Sequence, residues 1–104
     1  MNIATYKNTT ALILEALVEL NEQLPPGQKV PVSPDTLLFG QGGKLDSLSL
    51  VNFILLVEER LETEFGGSMT LADERAMSQR NSPFRSIQSL SEYVNQLLSE
   101  KQNG

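Results

Sequence analysis

The feature that most constrains the fold is an uninterrupted segment with helical apolar spacing in the middle of the chain. From Ser47 to Phe65 the sequence contains neither glycine nor proline, and its apolar residues recur at the spacing of one helix face. Gly66 follows directly, and glycine readily adopts the left-handed conformation that ends a helix. Asp46 precedes the segment and can accept the unpaired N–H groups of a first turn. The pattern therefore predicts a helix over 47–65 with Asp46 as its N-cap.

A helical wheel divides this segment into a core face and a second stripe. The predicted core arc consists of Leu50, Val51, Phe53, Ile54, Val57 and Leu61. The second stripe runs through Leu48, Asn52, Leu55 and Glu59, with Ser49 and Leu56 at its edge. Isolated leucines are common on protein surfaces, so the residues alone favour incidental leucines that the neighbouring loop covers.

Further helices are predicted on both sides of this segment. The first runs from about Thr9 or Thr10 to Leu20 or Leu24, and its apolar stripe is Leu12, Ile13, Ala16, Leu17, Leu20 and Leu24. The others run from Thr70 to about Met77 or Gln79, and from Ile87, after Ser86 as N-cap, to about Leu98. Prolines keep residues 25–45 irregular, and we expect this loop to pack onto the helices, with one helical turn at 35–38.

The predicted fold class is therefore all-α. We expect a small four-helix bundle of three longer helices and one short third helix, with a long loop between helices 1 and 2. Residues 1–104 leave room for one domain only. Its ordered core is expected over about 8–98, with 99–104 as a frayed polar tail.

Composition limits the chemistry that this domain can perform. The chain has no cysteine and no histidine, so it lacks the commonest metal ligands, general base and thiol nucleophile. We therefore predict neither a metal site nor an enzyme. The net charge of −5 opposes binding to nucleic acid. No secretory signal or membrane-length apolar run is present, which predicts a cytoplasmic protein without membrane insertion. We also expect a monomer.

The glycine-rich loop at residues 40–44, just before the predicted helix at 47–65, does not fit a nucleotide-binding loop. Leu38 stands where such a loop has its first glycine, and Leu45 stands where Ser or Thr follows the lysine. We therefore reject nucleotide binding. These glycines are better suited to turn the backbone tightly into the helix and to let it approach a bound group closely.

Ser47 falls on the first residue of the predicted helix, the position called N1. A side chain there lies beside unpaired backbone N–H groups and the positive end of the helix dipole, which together favour a phosphate. Serine near a helix start more often satisfies the backbone, and the residue type alone favours that interpretation. Because Asp46 already fills the cap, Ser47 is a candidate for modification.

The run Asp46-Ser47-Leu48 at the start of such a helix resembles the attachment motif of acyl and peptidyl carrier proteins, whose serine carries 4′-phosphopantetheine. The tripeptide alone is a weak signal. The similarity also covers the order of segments over residues 8–98: a first helix, a long loop with Leu37-Leu38-Phe39, the motif helix, a short third segment, and a closing run from Phe84 to Val94.

This resemblance implies a freestanding acyl or aminoacyl carrier protein for fatty acid, polyketide or lipid biosynthesis. Its cargo would be held as a thioester on the 4′-phosphopantetheine arm of Ser47. Asp46 would also help to hold magnesium while the arm is attached, and Leu48 would enter an apolar pocket of the phosphopantetheinyl transferase. The other implied partners are a loading ligase for acyl or aminoacyl groups and synthase or acyltransferase clients. The implied partner-binding face comprises Leu48, Ser49, Asn52, Leu55 and Glu59.

The start of the predicted helix at 47–65 differs in charge from the family pattern. Relatives carry acidic side chains early on this helix, whereas here Ser49 and Asn52 are neutral and Lys44 precedes the motif. Docking should therefore depend more on apolar contact than on charge.

The alternative function is an unmodified acidic helical adaptor that binds partners through Leu48 and Leu55. In a carrier protein, the cargo could fold back into a crevice between the helix at 47–65 and the short third helix. The residues that would line this crevice, or else belong to the ordinary core, are Val51, Ile54, Leu61, Met69, Leu71 and Met77.

Overall fold

Three α-helices account for most of the described chain. In this computed structural model, the structure describes residues 9–40, 42–67, 70–71 and 83–103, with side chains up to residue 100. The helices are α1 (Thr9–Gln23), α2 (Ser47–Phe65) and α3 (Ile87–Asn103), and a short 3₁₀ turn at Pro26–Gln28 follows α1. Within those residues the only β-type pairing is one isolated bridge, so the all-α class is confirmed for them. The predicted short helix at 70–79 lies almost entirely outside the described residues.

Helix α1 is the centre of the packing, because it contacts both α2 and α3. Of its predicted apolar stripe, Leu12, Ile13, Ala16, Leu17 and Leu20 are buried, whereas Leu24 lies past the end of the helix and is half-buried. The buried side chains of α2 are Leu50, Phe53, Ile54, Val57 and Leu61, and those of α3 include Ile87, Leu90, Tyr93 and Val94. The period of 3.6 residues therefore located all of the predicted core positions on the first two helices except Leu24 and Val51.

On α2, Val51 is the exception, because its side chain is 52% exposed. The buried residues of α2 span an arc of about 100°, and Val51 lies about 60° beyond its edge at Ile54. It therefore shares a face with the exposed Leu55 rather than with the core. The core arc predicted from the helical wheel is therefore too wide, because a wheel contains no information on how much of the helix surface a neighbouring element covers.

The last helix continues past its predicted end at Leu98 to Asn103, so residues 99–103 are helical in the structure. No glycine or proline interrupts the sequence before Gly104. The Gln96 amide also donates a hydrogen bond to Glu100 one turn later, at 3.4 Å. The polar composition of residues 99–104 led to the predicted end at Leu98, but polar residues that are good helix formers extend a helix readily.

The loop between α1 and α2 is fastened to the end of α1 by side chains. Asn21 donates its amide N–H to the Val30 carbonyl (2.8 Å) and accepts the Val30 N–H (2.9 Å). The Lys29 ammonium donates to the carbonyls of Asn21 and Leu24, which lie at the helix end. Residues 25–30 are therefore held by the carbonyls that the end of a helix leaves unpaired.

The second half of this loop pairs with the chain just before α3. The Leu38 N–H donates to the Arg85 carbonyl (2.7 Å), and the Ile87 N–H donates to the Thr36 carbonyl (3.0 Å). The helical turn predicted at 35–38 is therefore wrong, because residue 37 forms an isolated antiparallel bridge with Ser86. Leu38 is fully buried, as expected for a loop that packs onto the helices.

Arg60 joins α1 and α2 outside the apolar core. Its guanidinium donates to Glu15 at 3.2 Å and to Glu19 at 2.8 Å, and these two carboxylates lie one turn apart on α1. Each group is partly exposed, so this pair of contacts contributes about 1 kcal/mol or less to stability. The main consequence of these contacts is geometric, since the planar guanidinium group fixes the register of the two helices.

None of the described helices combines the length and apolarity that crossing a bilayer requires.

Candidate functional site

The entry into α2 is set by a backbone that doubles back on itself. The Leu45 N–H donates to the Leu38 carbonyl at 2.8 Å, and Leu45 itself is buried. At Gly43, a Cβ atom would lie only 2.7 Å from the Leu38 carbonyl oxygen and from the Phe39 backbone. Residue 43 therefore has to be glycine, because a side chain there would prevent its close approach to the backbone of residues 38 and 39. This packing holds the residues that follow at the start of α2.

Asp46 caps α2 as predicted. Its backbone is extended (φ −82°, ψ 178°), and its Oδ1 accepts the Ser49 N–H at 2.8 Å. This hydrogen bond lowers the pKa of Asp46 below its ordinary value of 3.8, and a further one from the Ser49 hydroxyl adds to the effect. The carboxylate is therefore ionised at neutral pH and is exposed at the surface. At the other end, Gly66 is left-handed (φ 77°) and terminates the helix, as predicted.

We expect Asp46→Asn to lower stability at neutral pH and to lose this effect in acid. Since the pKa is depressed in the folded state, the ionised cap stabilises the fold at pH values above 3.8, and this contribution disappears as the pH falls through the folded pKa. Thermal unfolding followed by circular dichroism from pH 7 to pH 2 would measure it. Asp35→Asn, which removes another exposed carboxylate, is the control. A difference between Asp46→Asn and wild type that stays constant with pH would contradict this assignment.

Ser47 is the first residue of α2 and is exposed. No group in the described part of the chain forms a hydrogen bond with its hydroxyl, whereas the neighbouring Ser49 is half-buried and serves the Asp46 cap. The two serines at the start of the helix are thus different. Ser49 is engaged by the fold, and Ser47 is accessible to a partner.

A stripe of exposed apolar side chains begins beside Ser47 and follows α2. It consists of Leu48 (71% exposed), Val51 (52%) and Leu55 (57%), which we call the α2 apolar stripe. The positions predicted for Leu48 and Leu55 outside the core are confirmed. No described segment covers these residues, so the alternative in which the Pro-rich loop does so is wrong. Asn52 and Glu59 are also exposed.

Cavities lie on both sides of the start of α2. The larger, of about 590 Å³, separates the loop at Gly27–Pro31 from Lys44, Asp46 and Ser49. The smaller, of about 230 Å³, is lined by Val51, Ile54, Leu55, Glu58 and Thr70. Of the predicted crevice, Val51 and Ile54 line this smaller cavity, Leu61 and Leu71 are fully buried in the core, and Met69 and Met77 lie outside the described residues.

Two contacts around the site were not predicted. The Glu58 carboxylate accepts the backbone N–H of Leu71 at 2.7 Å, and so it ties the segment after α2 to the side of this helix. Lys29, likewise, was not predicted to bind the end of α1. Both contacts join residues whose approach depends on the path of a loop, and neither has a signature in the local sequence.

The chain matches no family model, no curated protein and no solved structure. The structure places Asp46, Ser47 and Leu48 together at one exposed corner, and it places Asn52 and Leu55 along the helix from there.

Proposed function

We propose that this chain is a freestanding acyl or aminoacyl carrier protein that holds its cargo as a thioester on a 4′-phosphopantetheine arm attached to Ser47. The observation that carries the proposal is the arrangement at the start of α2. An exposed serine follows an ionised capping aspartate and precedes a leucine that is 71% exposed. The described part of the fold uses neither the Ser47 hydroxyl nor the Leu48 side chain, which suits residues that serve a partner enzyme.

The residues at this corner fit the proposed group. Ser47 Oγ would form a bond to the phosphorus of coenzyme A that bears the pantetheine, while the phosphoanhydride bond breaks, the hydroxyl proton leaves and adenosine 3′,5′-bisphosphate is released. The resulting phosphodiester lies at a helix N-terminus, where an anion is favoured. When bound, the arm supplies a thiol, a group that the chain lacks.

Asp46 has two compatible roles in this proposal. Through the Ser49 N–H it holds the first turn that presents Ser47. Because its pKa is lowered and its side chain is exposed, it also provides a carboxylate to the transferase, where it would help to bind the magnesium ion that neutralises the phosphates of coenzyme A. The test of the proposal is the mass of the intact protein after incubation with coenzyme A, magnesium and a broad-specificity phosphopantetheinyl transferase.

The chemistry of the α2 apolar stripe supports an apolar docking surface for the transferase, the loading ligase and the client synthase or acyltransferase. The acidic residues of α2 begin only at Glu58, which is engaged with Leu71, so the first half of the helix carries no carboxylate. Such a surface relies on apolar burial rather than on long-range attraction.

We therefore expect the rate of arm attachment to change little between low and moderate salt, because screening weakens only interactions between charges. Asn52→Glu should raise the rate with a transferase of the ordinary fatty acid pathway, since it adds the early acid that is typical of the carrier proteins that the motif resembles. Asn52→Gln is the control of equal size. Initial rates across a salt series measure both effects. Steep salt dependence in the wild type would show instead that Glu59 and the later acids steer the partner.

An unmodified adaptor is the second candidate, and the exposure of the α2 apolar stripe favours it equally. Both functions use Leu48 and Leu55 to bind a partner. They differ in Ser47, which an adaptor does not require. The mass of the protein after incubation with the transferase therefore distinguishes them.

A further inference from the structure

The cavity of about 590 Å³ beside the start of α2 has no role in the function proposed so far. One wall is the loop after α1, at Gly27–Pro31, and the other consists of Lys44 to Asp46 and Ser49. We call this cavity the loop groove. Asp46 and Ser49 both border it, so the groove opens next to Ser47.

Two lysines give the loop groove its charge. The Lys29 ammonium is held by two carbonyls at the end of α1, and an ammonium has three donors, so one of its N–H groups remains for another acceptor. No acceptor in the described part of the chain holds the Lys44 ammonium. The opposing charge is the carboxylate of Asp46, and Ser49 already satisfies it with its amide and hydroxyl.

We propose that the loop groove is the resting site of the phosphopantetheine arm, with Lys29 and Lys44 binding its phosphate and the loop wall binding its amide chain. This inference rests on the proposed function. It concerns where the arm lies on the protein surface, which modification of Ser47 does not by itself determine.

The chemistry of the two cavities favours the loop groove over the smaller one. Apolar side chains dominate the cavity at Val51, Ile54 and Leu55, which suits an alkyl chain better than a chain of hydroxyl and amide groups. The loop groove, in contrast, offers charged donors and a polar loop. Since a short tether holds the arm at a millimolar effective concentration, weak contacts are enough to keep it there.

Paramagnetic broadening can locate the arm because the protein has no cysteine. A nitroxide maleimide will therefore label only the thiol at the end of the arm. We expect the amide signals of Gly27, Gln28 and Lys29 to lose most of their intensity in the oxidised spin label and to recover it on reduction. Attachment of the unlabelled arm should also shift these signals, although they lie far from Ser47 in the sequence.

A blocked groove provides the matched variant. A Cβ atom at Gly27 would meet nothing within 4 Å, so Gly27→Phe should fold and fill the groove. We expect it to accept the arm but to lose the broadening at Gln28 and Lys29. Gln23→Phe adds the same side chain at an exposed site outside the groove and should leave the broadening unchanged. Lys44→Gln, which keeps the groove open, should reduce the shifts caused by the unlabelled arm.

Other outcomes would overturn the inference. Broadening at Val51, Leu55 and Thr70 would place the arm on the opposite side of α2, and uniformly weak broadening would mean that the arm remains in solvent. Either result would leave the carrier function standing, because the mass spectrum records attachment first. If no arm can be attached to Ser47, the proposed function fails, and this inference fails with it.

Discussion

Ser47→Ala should abolish attachment of the arm, while the wild-type protein gains one phosphopantetheine per chain. The reason is that, among the residues that the structure describes, only Ser47 combines exposure, position N1 and a hydroxyl that no described group engages. Alanine is a good helix former and Asp46 still caps the helix, so the variant should fold like the wild type. The measurement is the intact mass after incubation with coenzyme A, magnesium and the transferase. The wild type should gain the mass of one arm, and Ser47→Ala should gain none.

Ser49→Ala is the matched control, because Ser49 is the nearest other serine. Its hydroxyl lies against Asp46 and should not be the acceptor. We expect this variant to be modified, at a rate that reflects any weakening of the cap. If Ser47→Ala were still modified, or if the wild type stayed unmodified with transferases of both broad and fatty-acid specificity, the carrier function would be wrong.

Leu48→Ala and Leu50→Ala should have opposite effects, although the two residues lie close together on α2. Leu48 is 71% exposed, so its truncation removes little from the core, whereas Leu50 is 6% exposed. Truncation of a buried leucine costs about 2 to 5 kcal/mol. A leucine that anchors a partner contributes about 2 kcal/mol to binding, which corresponds to a loss of about 30-fold in the rate of arm attachment.

Urea unfolding measures the first effect, and initial rates of arm attachment under conditions where each variant is folded measure the second. We expect Leu48→Ala to retain wild-type stability and to be modified slowly. Leu50→Ala should be unstable but modified at a normal rate per folded molecule. If Leu48→Ala unfolded the domain and Leu50→Ala did not, the two faces of α2 would have to be exchanged.

Local sequence signals predicted the limits of α2 and its cap because the interactions concerned are short in range. The bond between Asp46 and the Ser49 N–H spans one helical turn, and the left-handed Gly66 needs no distant partner. The same holds for the exposure of Leu48, which a helical wheel places opposite the core. The corner that carries the proposed function was therefore predictable without knowledge of the tertiary contacts.

Where predictions failed, a distant contact or its absence determined the outcome. Val51 is exposed because, within the described residues, α1 is the only helix that packs on α2 and it covers one side of it. The turn expected at 35–38 is replaced by pairing with Arg85 and Ser86, which are remote in the sequence. Wheels and propensities describe one element at a time, so they contain no term for such a neighbour.

The amino-acid sequence alone thus determined that this chain is helical, that α2 begins at Ser47, and that Ser47 and Leu48 lie at its exposed start. These properties depend on spacing and capping within a few residues. The loop groove, the hold of Lys29 on the end of α1 and the tie between Glu58 and Leu71 depend instead on how the loops return to the helices. Packing of the whole core sets those paths, because each contact joins residues that come close only after the helices have assembled.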